Sequence, residues 1–233
     1  MAVYTKIKKS DLTSINRKFN FENFQSFKGI KQGIENTNYL LRSKNKKFIL
    51  TIFEKRVVKK EIPFFMKLMD QLSNLNINCP KPLKNNRGNY LIKVKNKIAC
   101  VVTFLDGKDK KKLNIKNCFH IGKTVAQMHL STKKLKIFRK NSMGIKNLNP
   151  LLNSIKFKSK KFANLEKFLK TNLKDIKSKW PKKLPQGIIH GDLFIDNIFF
   201  KGNKISGIID FYFAANDYFM SVSYTHLTLP TIE

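Results

Sequence analysis

Long apolar runs are missing from this chain of 233 residues. None approaches the ~20 residues that a membrane span requires. No basic segment followed by an apolar stretch comes after Met1-Ala2-Val3-Tyr4-Thr5, so a secretory leader is not expected and a soluble cytoplasmic protein is. Cysteine is equally sparse. Cys79, Cys100 and Cys118 are odd in number and lack close pairing, which argues against a disulfide framework and a zinc site and leaves reduced, partly buried thiols. Acidic residues are few, 15 against 47 Lys and Arg, for a formal net charge of +32. Such an excess invites a nucleic-acid reading, because dense Lys neutralises phosphates and releases counterions. The shortage of arginine argues against it. Arg17, Arg42, Arg56, Arg87 and Arg139 are the only ones, and the Lys residues are spread through most of the chain. Base reading and bidentate phosphate contacts favour Arg, and single-strand binding wants aromatics interleaved with charge on one face. Abundant Lys, Asn, Ile and Phe instead fit the coding bias of an A/T-rich genome. The surface should still attract anions, with an effect that weakens in salt.

The hydrophobic share of 42% is ample for a core, and the length suits one large domain or two small lobes. Residues 24–34 and 38–42 flank a Gly-bearing turn, and Lys47 to Phe53 reads as a strand. Ile62, Phe65, Met66, Leu68, Met69 and Leu72 recur at helical spacing, with Pro63 tolerable in the first turn. Residues 90–94 and 97–105 read as a hairpin around Lys95-Asn96. The run Lys108 to Lys112 reads as a solvated surface or linker. Helices are expected from Asn117 through His129 and over 162–179; the Met and Phe positions there suit core packing, and His129 a packed or capped histidine.

The richest stretch is Ile188-Ile189-His190-Gly191-Asp192-Leu193-Phe194-Ile195-Asp196-Asn197, with Ile209-Asp210-Phe211 beyond it. Asp192 can orient a hydroxyl and accept its proton, while Asn197 and Asp210 offer hard oxygen ligands to Mg²⁺ on the phosphates of ATP. If Gly187 to His190 ends one strand and Ile198 begins another, the polar residues fall on the connecting loop. A tight turn at Lys201-Gly202-Asn203-Lys204 then lets the next strand carry Asp210 back beside Asn197. The ordered set reads as a kinase catalytic loop. His190 is placed with Asp192 in it, with bracing the loop through hydrogen bonds as its expected part.

On these residues the chain resembles the homoserine kinases of the aminoglycoside phosphotransferase-like superfamily, which also includes choline kinases and shares the bilobal architecture of protein kinases. The resemblance runs from Met1 to about Met220. It is carried at superfamily level by His190, Asp192, Asn197 and Asp210, and more narrowly by Met1 to Thr5, Gly33 to Tyr39, Phe48 to Arg56, Pro63-Phe64-Phe65, Trp180-Pro181 and Asp210 to Ala214. It implies an α+β, protein-kinase-like fold. An antiparallel five-stranded lobe plus one helix would occupy residues 1–106, and a mainly helical, incomplete lobe residues 107–220. The implied reaction is ATP-dependent phosphorylation of the L-homoserine hydroxyl, a step toward threonine, with Asp192 as base and Asn197 and Asp210 as magnesium ligands. The turn Gly33 to Asn38 would cover the phosphates through backbone N–H groups and the Asn36 and Thr37 side chains. Phe104-Leu105-Asp106 would meet the adenine edge. Thr51 stands where many relatives place a phosphate-pairing cation, which leaves Lys55 or Arg56, oriented by Glu61, as candidates for that role. Ile195 replaces a Pro common in the family's loop.

The alternatives are a kinase for another small alcohol, of choline or aminoglycoside type, and a basic nucleic-acid-binding module. Neither a specific nucleic acid nor a membrane is an expected partner. Ser221 to Thr231 fits neither the family nor its surroundings; its codons can be written as a transposase adapter used to prepare sequencing libraries. Residues 221–233 are therefore expected to be a non-native tail on a truncated fragment, with apolar surface in the second lobe left uncovered.

Overall fold

The computed structural model describes residues 3–19, 22–31, 35–55, 57–155 and 163–221. Period-two alternation builds its main sheet. Strands β1 (Ser26–Gly29), β2 (Thr37–Arg42), β3 (Lys47–Ile52), β4 (Leu91–Val94) and β5 (Lys97–Thr103) pair antiparallel in the order β1-β2-β3-β5-β4. The expected hairpin turns at Lys95 and Asn96, both at positive φ (49° and 60°), as a tight turn matched to strand twist requires. Tyr39, Leu41, Phe48, Leu50, Ile52, Ala99 and Val101 face one core, whereas Cys100 and Val102 face another.

Each face has its own cover. Helix α1 (Lys9–Asn16) brings Leu12 and Ile15 onto the first core, beside Phe19 and Phe24. This helix is a departure from the expected single helix; eight residues with two buried apolar positions make too short a periodic signal. Helix α2 (Ile62–Asn74) covers the opposite face, with Pro63 in its first turn and Ile62, Phe65, Met66, Leu68, Met69 and Leu72 buried as the spacing predicts.

Beyond β5 the chain turns helical. Helix α3 (Ile115–Thr132) begins two residues before the expected start because Asn114 caps it, accepting from the Asn117 amide at 2.9 Å. Helix α4 (Ile145–Ser154) holds Pro150 in its interior, which hides it from a pattern reading. Helix α5 (Ala163–Lys179) matches expectation. Ile115, Phe119 and Leu130 on α3 and Phe168 on α5 are well exposed.

Two small ribbons complete the fold. Strand β6 (Gln186–Ile189) pairs antiparallel with β9 (Ala215–Tyr218), and β7 (Ile198–Lys201) with β8 (Lys204–Ile208). Lys108 is not merely solvated: it bridges Phe200, giving and receiving backbone hydrogen bonds of 3.1 and 2.8 Å. Residues 188, 189, 193, 198, 208 and 211 join the α2 core, so the catalytic-loop candidate rests on the same apolar mass as the sheet. Among the described residues no helix is long and apolar enough to cross a membrane. The expected tail from Val222 onward lies outside the described residues.

Candidate active site

The loop between β6 and β7 is held from within. Gly191 sits at φ 78°, and a Cβ there would lie 2.4 Å from the Phe213 carbonyl oxygen, so no other residue fits without displacement. His190 is fully buried. Its Nε2 lies 2.8 Å from the Ile209 carbonyl and its Nδ1 3.3 Å from the Asp192 amide, an arrangement in which Nε2 donates and Nδ1 accepts. The ring also meets Phe211 edge-on at 4.6 Å. His190 therefore braces the loop, the part expected of it: both ring nitrogens are engaged with backbone.

Asp192 and Asn197 come together. Asn197 Nδ2 donates to the Asp192 carbonyl at 2.8 Å and approaches Asp192 Oδ2 at 3.5 Å. The β7–β8 register pairs Ile198 with Ile208, and the Ile209 amide donates to the Asn197 carbonyl at 2.9 Å. Asp210 thus arrives beside Asn197, as the spacing predicts. Its backbone is left-handed (φ 64°, ψ 59°), a sparsely populated conformation for a non-glycine residue and one that recurs at functional sites.

Asp210 Oδ1 is buried and has no hydrogen-bond partner among the described residues. Burial is the main cause that pushes its carboxyl up to about 6; the Asp192 and Glu35 charges add to the rise, the Tyr212 amide partly offsets it, and Asp196 contributes least. Glu35 is a site neighbour that spacing did not single out, although it lies within the Gly33 to Tyr39 motif. An orphaned buried carboxylate oxygen among other carboxylates is a place that wants a cation. The Asp210 carboxylate and the Asn197 amide oxygen are hard donors, so the residues fit Mg²⁺. Among the described residues no three His, Cys, Asp or Glu side chains form a preformed cage.

The expected phosphate-covering side chains lie elsewhere. Thr37 alternates inward with Tyr39 and Leu41 and is fully buried. Its Oγ1 accepts from the Tyr4 and Thr5 amides at 3.0 and 3.1 Å and donates to Glu54 Oε1 at 2.7 Å. Asn36, also buried, accepts from the Glu54 amide at 3.3 Å. Alternation along β2 turns Thr37 inward, and Asn36, just before that strand, meets the Glu54 amide, so both side chains bond within the protein. Asn38 Oδ1 accepts from Thr51 Oγ1 at 2.8 Å. The Tyr212 phenol hydrogen-bonds Thr51 and Cys100, so a neutral bridge runs from β3 and β5 to the segment after Asp210.

Glu61 does not orient Lys55. Its Oε2 accepts from Arg139 Nε at 2.8 Å and Nη2 at 2.7 Å, because Arg139 reaches across from the other half of the chain. Lys55 lies exposed after β3. Gly33 and Arg56 lie outside the described residues. Phe104 and Leu105 leave β5 half-buried, with the Phe104 amide donating to the Lys47 carbonyl at 3.1 Å.

The chain matches the phosphotransferase enzyme family over residues 26–221. It is 37% identical over 220 residues to the homoserine kinase of Parvibaculum lavamentivorans, covering 94% of this chain and 68% of that protein. It is 40% identical over 219 residues to the homoserine kinase of Bradyrhizobium diazoefficiens, covering 93% and 67%. The chain therefore spans about two thirds of these curated relatives. Among solved structures it resembles the amicoumacin kinase hAmiN in complex with AMP-PNP, Ca²⁺ and Ami (TM-score 0.74, 16% identity, 92% of this chain and 66% of that one). It also resembles a spectinomycin phosphotransferase in complex with ADP and spectinomycin (TM-score 0.66, 14% identity, 92% and 72%). These two likenesses concern the fold, which is protein-kinase-like. With a family match over residues 26–221 and relatives at 37 and 40% identity over most of its length, the chain belongs to the phosphotransferase enzyme family.

Proposed function

We propose that the protein transfers the γ-phosphoryl group of ATP to the hydroxyl of L-homoserine in the cytoplasm. The observation that carries the reaction class is the convergence of Asp192, Asn197 and Asp210 around an unpartnered buried oxygen. Support for the acceptor comes from relatives at 37 and 40% identity that carry the name homoserine kinase.

Asp192 has the role of base. Its position is fixed by the backbone brace from His190 and the amide of Asn197, so it accepts the hydroxyl proton without reorganising. Asn197 directs Nδ2 to Asp192, which leaves Oδ1 as its metal-ligating atom; Asp210 supplies Oδ1. When bound, Mg²⁺ would neutralise charge on the transferring phosphoryl group. The turn Gly33 to Asn38 would cover phosphate through backbone N–H groups, and Phe104-Leu105 would border the adenine. The net charge of +32 draws the anionic nucleotide inward.

The test is ADP formation from ATP and Mg²⁺ with L-homoserine, choline and an aminoglycoside as separate acceptors. Homoserine-dependent ADP with little from the others is expected. Release stimulated by choline or the aminoglycoside instead would replace the acceptor, and nucleic-acid affinity that persists in Asp192→Asn without any ADP formation would overturn the enzyme reading.

A further inference from the structure

The Arg139 side chain joins two halves of the molecule, and it has no assigned part in the reaction. Its side chain is 10% exposed. Nε and Nη2 hold Glu61 Oε2 at the start of α2, while Nη1 donates to the Ala214 carbonyl at 3.1 Å and the Phe213 carbonyl at 3.4 Å. The guanidinium lies 5.1 Å from the ring centre of Phe65, also on α2, and Phe65 meets Tyr212 edge-on at 5.8 Å.

The backbone of Arg139 is fixed to the site's own platform. Its amide donates to Asn216 Oδ1 at 2.9 Å, and its carbonyl accepts from the Asn216 amide at 2.7 Å. Asn216 belongs to β9, which pairs with β6, and β6 runs directly into His190. The Phe213 carbonyl that Arg139 holds is the atom against which Gly191 is packed. One guanidinium therefore touches the start of α2 and the segment whose other end is Asp210, and that segment abuts the glycine preceding Asp192.

We infer that Arg139 is a positioning residue that transmits the placement of α2 to Asp210 and Asp192, bridging Glu61 to the Phe213 and Ala214 carbonyls. The role in phosphoryl transfer rests on the proposed function; the mechanical coupling does not. Only a planar fork satisfies both ends at once. A lysine ammonium at the same place keeps one end and releases the other.

Hydrogen exchange reads the coupling directly. The Ala214 amide donates to the Phe211 carbonyl at 3.0 Å, so its exchange reports opening of the segment after Asp210, and the Phe53 amide on the Ile98 carbonyl (2.9 Å) serves as the sheet control. In the 233-residue chain, Arg139→Lys and Glu61→Gln should each speed exchange at Ala214 about tenfold, the effect of losing one charge-assisted hydrogen bond, with Phe53 unchanged. Glu61 makes no contact with Ala214 in the chain of bonds described, so its effect there carries the test. With ADP present, the Mn²⁺ concentration for half-saturation, followed by electron paramagnetic resonance, should rise about fivefold or more in both variants. Unchanged exchange at Ala214, or an equal rise at Phe53, would overturn the proposal, since a pair that merely adds stability opens both alike. If the unsubstituted chain takes up no Mn²⁺ with ADP, the phosphoryl-transfer reading fails, and the exchange result alone decides the coupling. Should Arg139→Lys lose cooperative unfolding, Glu61→Gln, at a partly exposed helix start, carries the same measurement.

Discussion

Glu54 and Asp210 are both carboxylates in polar pockets of one small fold, and their surroundings are opposite. Around Glu54 every approach brings a donor: Thr5 and Thr37 hydroxyls at 2.7 Å each, and the Lys97 ammonium. Burial pushes its carboxyl up, but the hydrogen bonds from Lys97, Thr37 and Thr5 outweigh that, and the net shift is downward. Around Asp210 burial acts in the same direction, and neighbouring carboxylates reinforce it. A satisfied carboxylate holds elements together, whereas an unsatisfied one is kept for something that arrives later. The first ties the N-terminal segment to β2 and β5; the second stands where the proposed cation binds.

The sharpest way to break this contrast is substitution at the loop itself. Asp192→Asn should lower homoserine-dependent ADP formation by about 10³-fold, as expected for loss of a positioned base, with the unfolding midpoint little changed. Asp210→Asn should cost ~100-fold or more in turnover, yet raise the stability of the metal-free chain. The sign follows from its raised carboxyl: the folded state binds the proton more tightly, so stability from this group is full below pH about 4 and is lost as pH rises through about 6, a difference of up to about 3 kcal/mol. Denaturant titrations should show that slope in the parent and its absence in Asp210→Asn.

Glu54→Ala should behave in the reverse manner. With three donors deprived of their carboxylate, we expect about 2 kcal/mol of destabilisation by denaturant titration, below the fully buried case because Lys97 is 41% exposed. For the lowered Glu54 carboxyl the contribution is present above its unfolded value of 4.5 and disappears as pH falls through the folded one. Gly191→Ala should cost about 1–2 kcal/mol of stability, from the left-handed backbone and the Phe213 contact. Its turnover should fall further than its stability explains, because the displaced carbonyl belongs to the segment after Asp210.

Much of this was legible in the amino-acid order. Phe48, Leu50 and Ile52 alternate, and the α2 positions recur at helical spacing, so strand and helix followed from periodicity. The meeting of Asp192, Asn197 and Asp210 was legible because a short loop joins the first two and an apolar ribbon returns the third. Arg139 was not. Its partners Glu61 and Phe213 lie 78 and 74 residues away, and no local pattern encodes such a contact. Thr37 misled for a related reason: a threonine in a phosphate-turn motif is also a strand residue, and the strand's alternation decided which way it faced. Helix α4 escaped notice because Pro150 interrupts its pattern.

The β7–β8 ribbon has a consequence for how such chains can vary in length. Its paired residues are Ile198 with Ile208 and Phe199 with Gly207, then Phe200 with Ile205 and Lys201 with Lys204, so Ser206 is an extra residue accommodated in one strand. Asn197 and Asp210 stand at the open end of this ribbon, and the turn of Gly202 and Asn203 stands at the closed end. Insertions at the turn extend the ribbon away from the site and leave the span between the two residues alone. A single residue inserted between Ser206 and Asp210 would rotate every following side chain to the opposite face. Length variation in descendants of this sequence should therefore collect at Gly202-Asn203 and be absent from the strand that delivers Asp210.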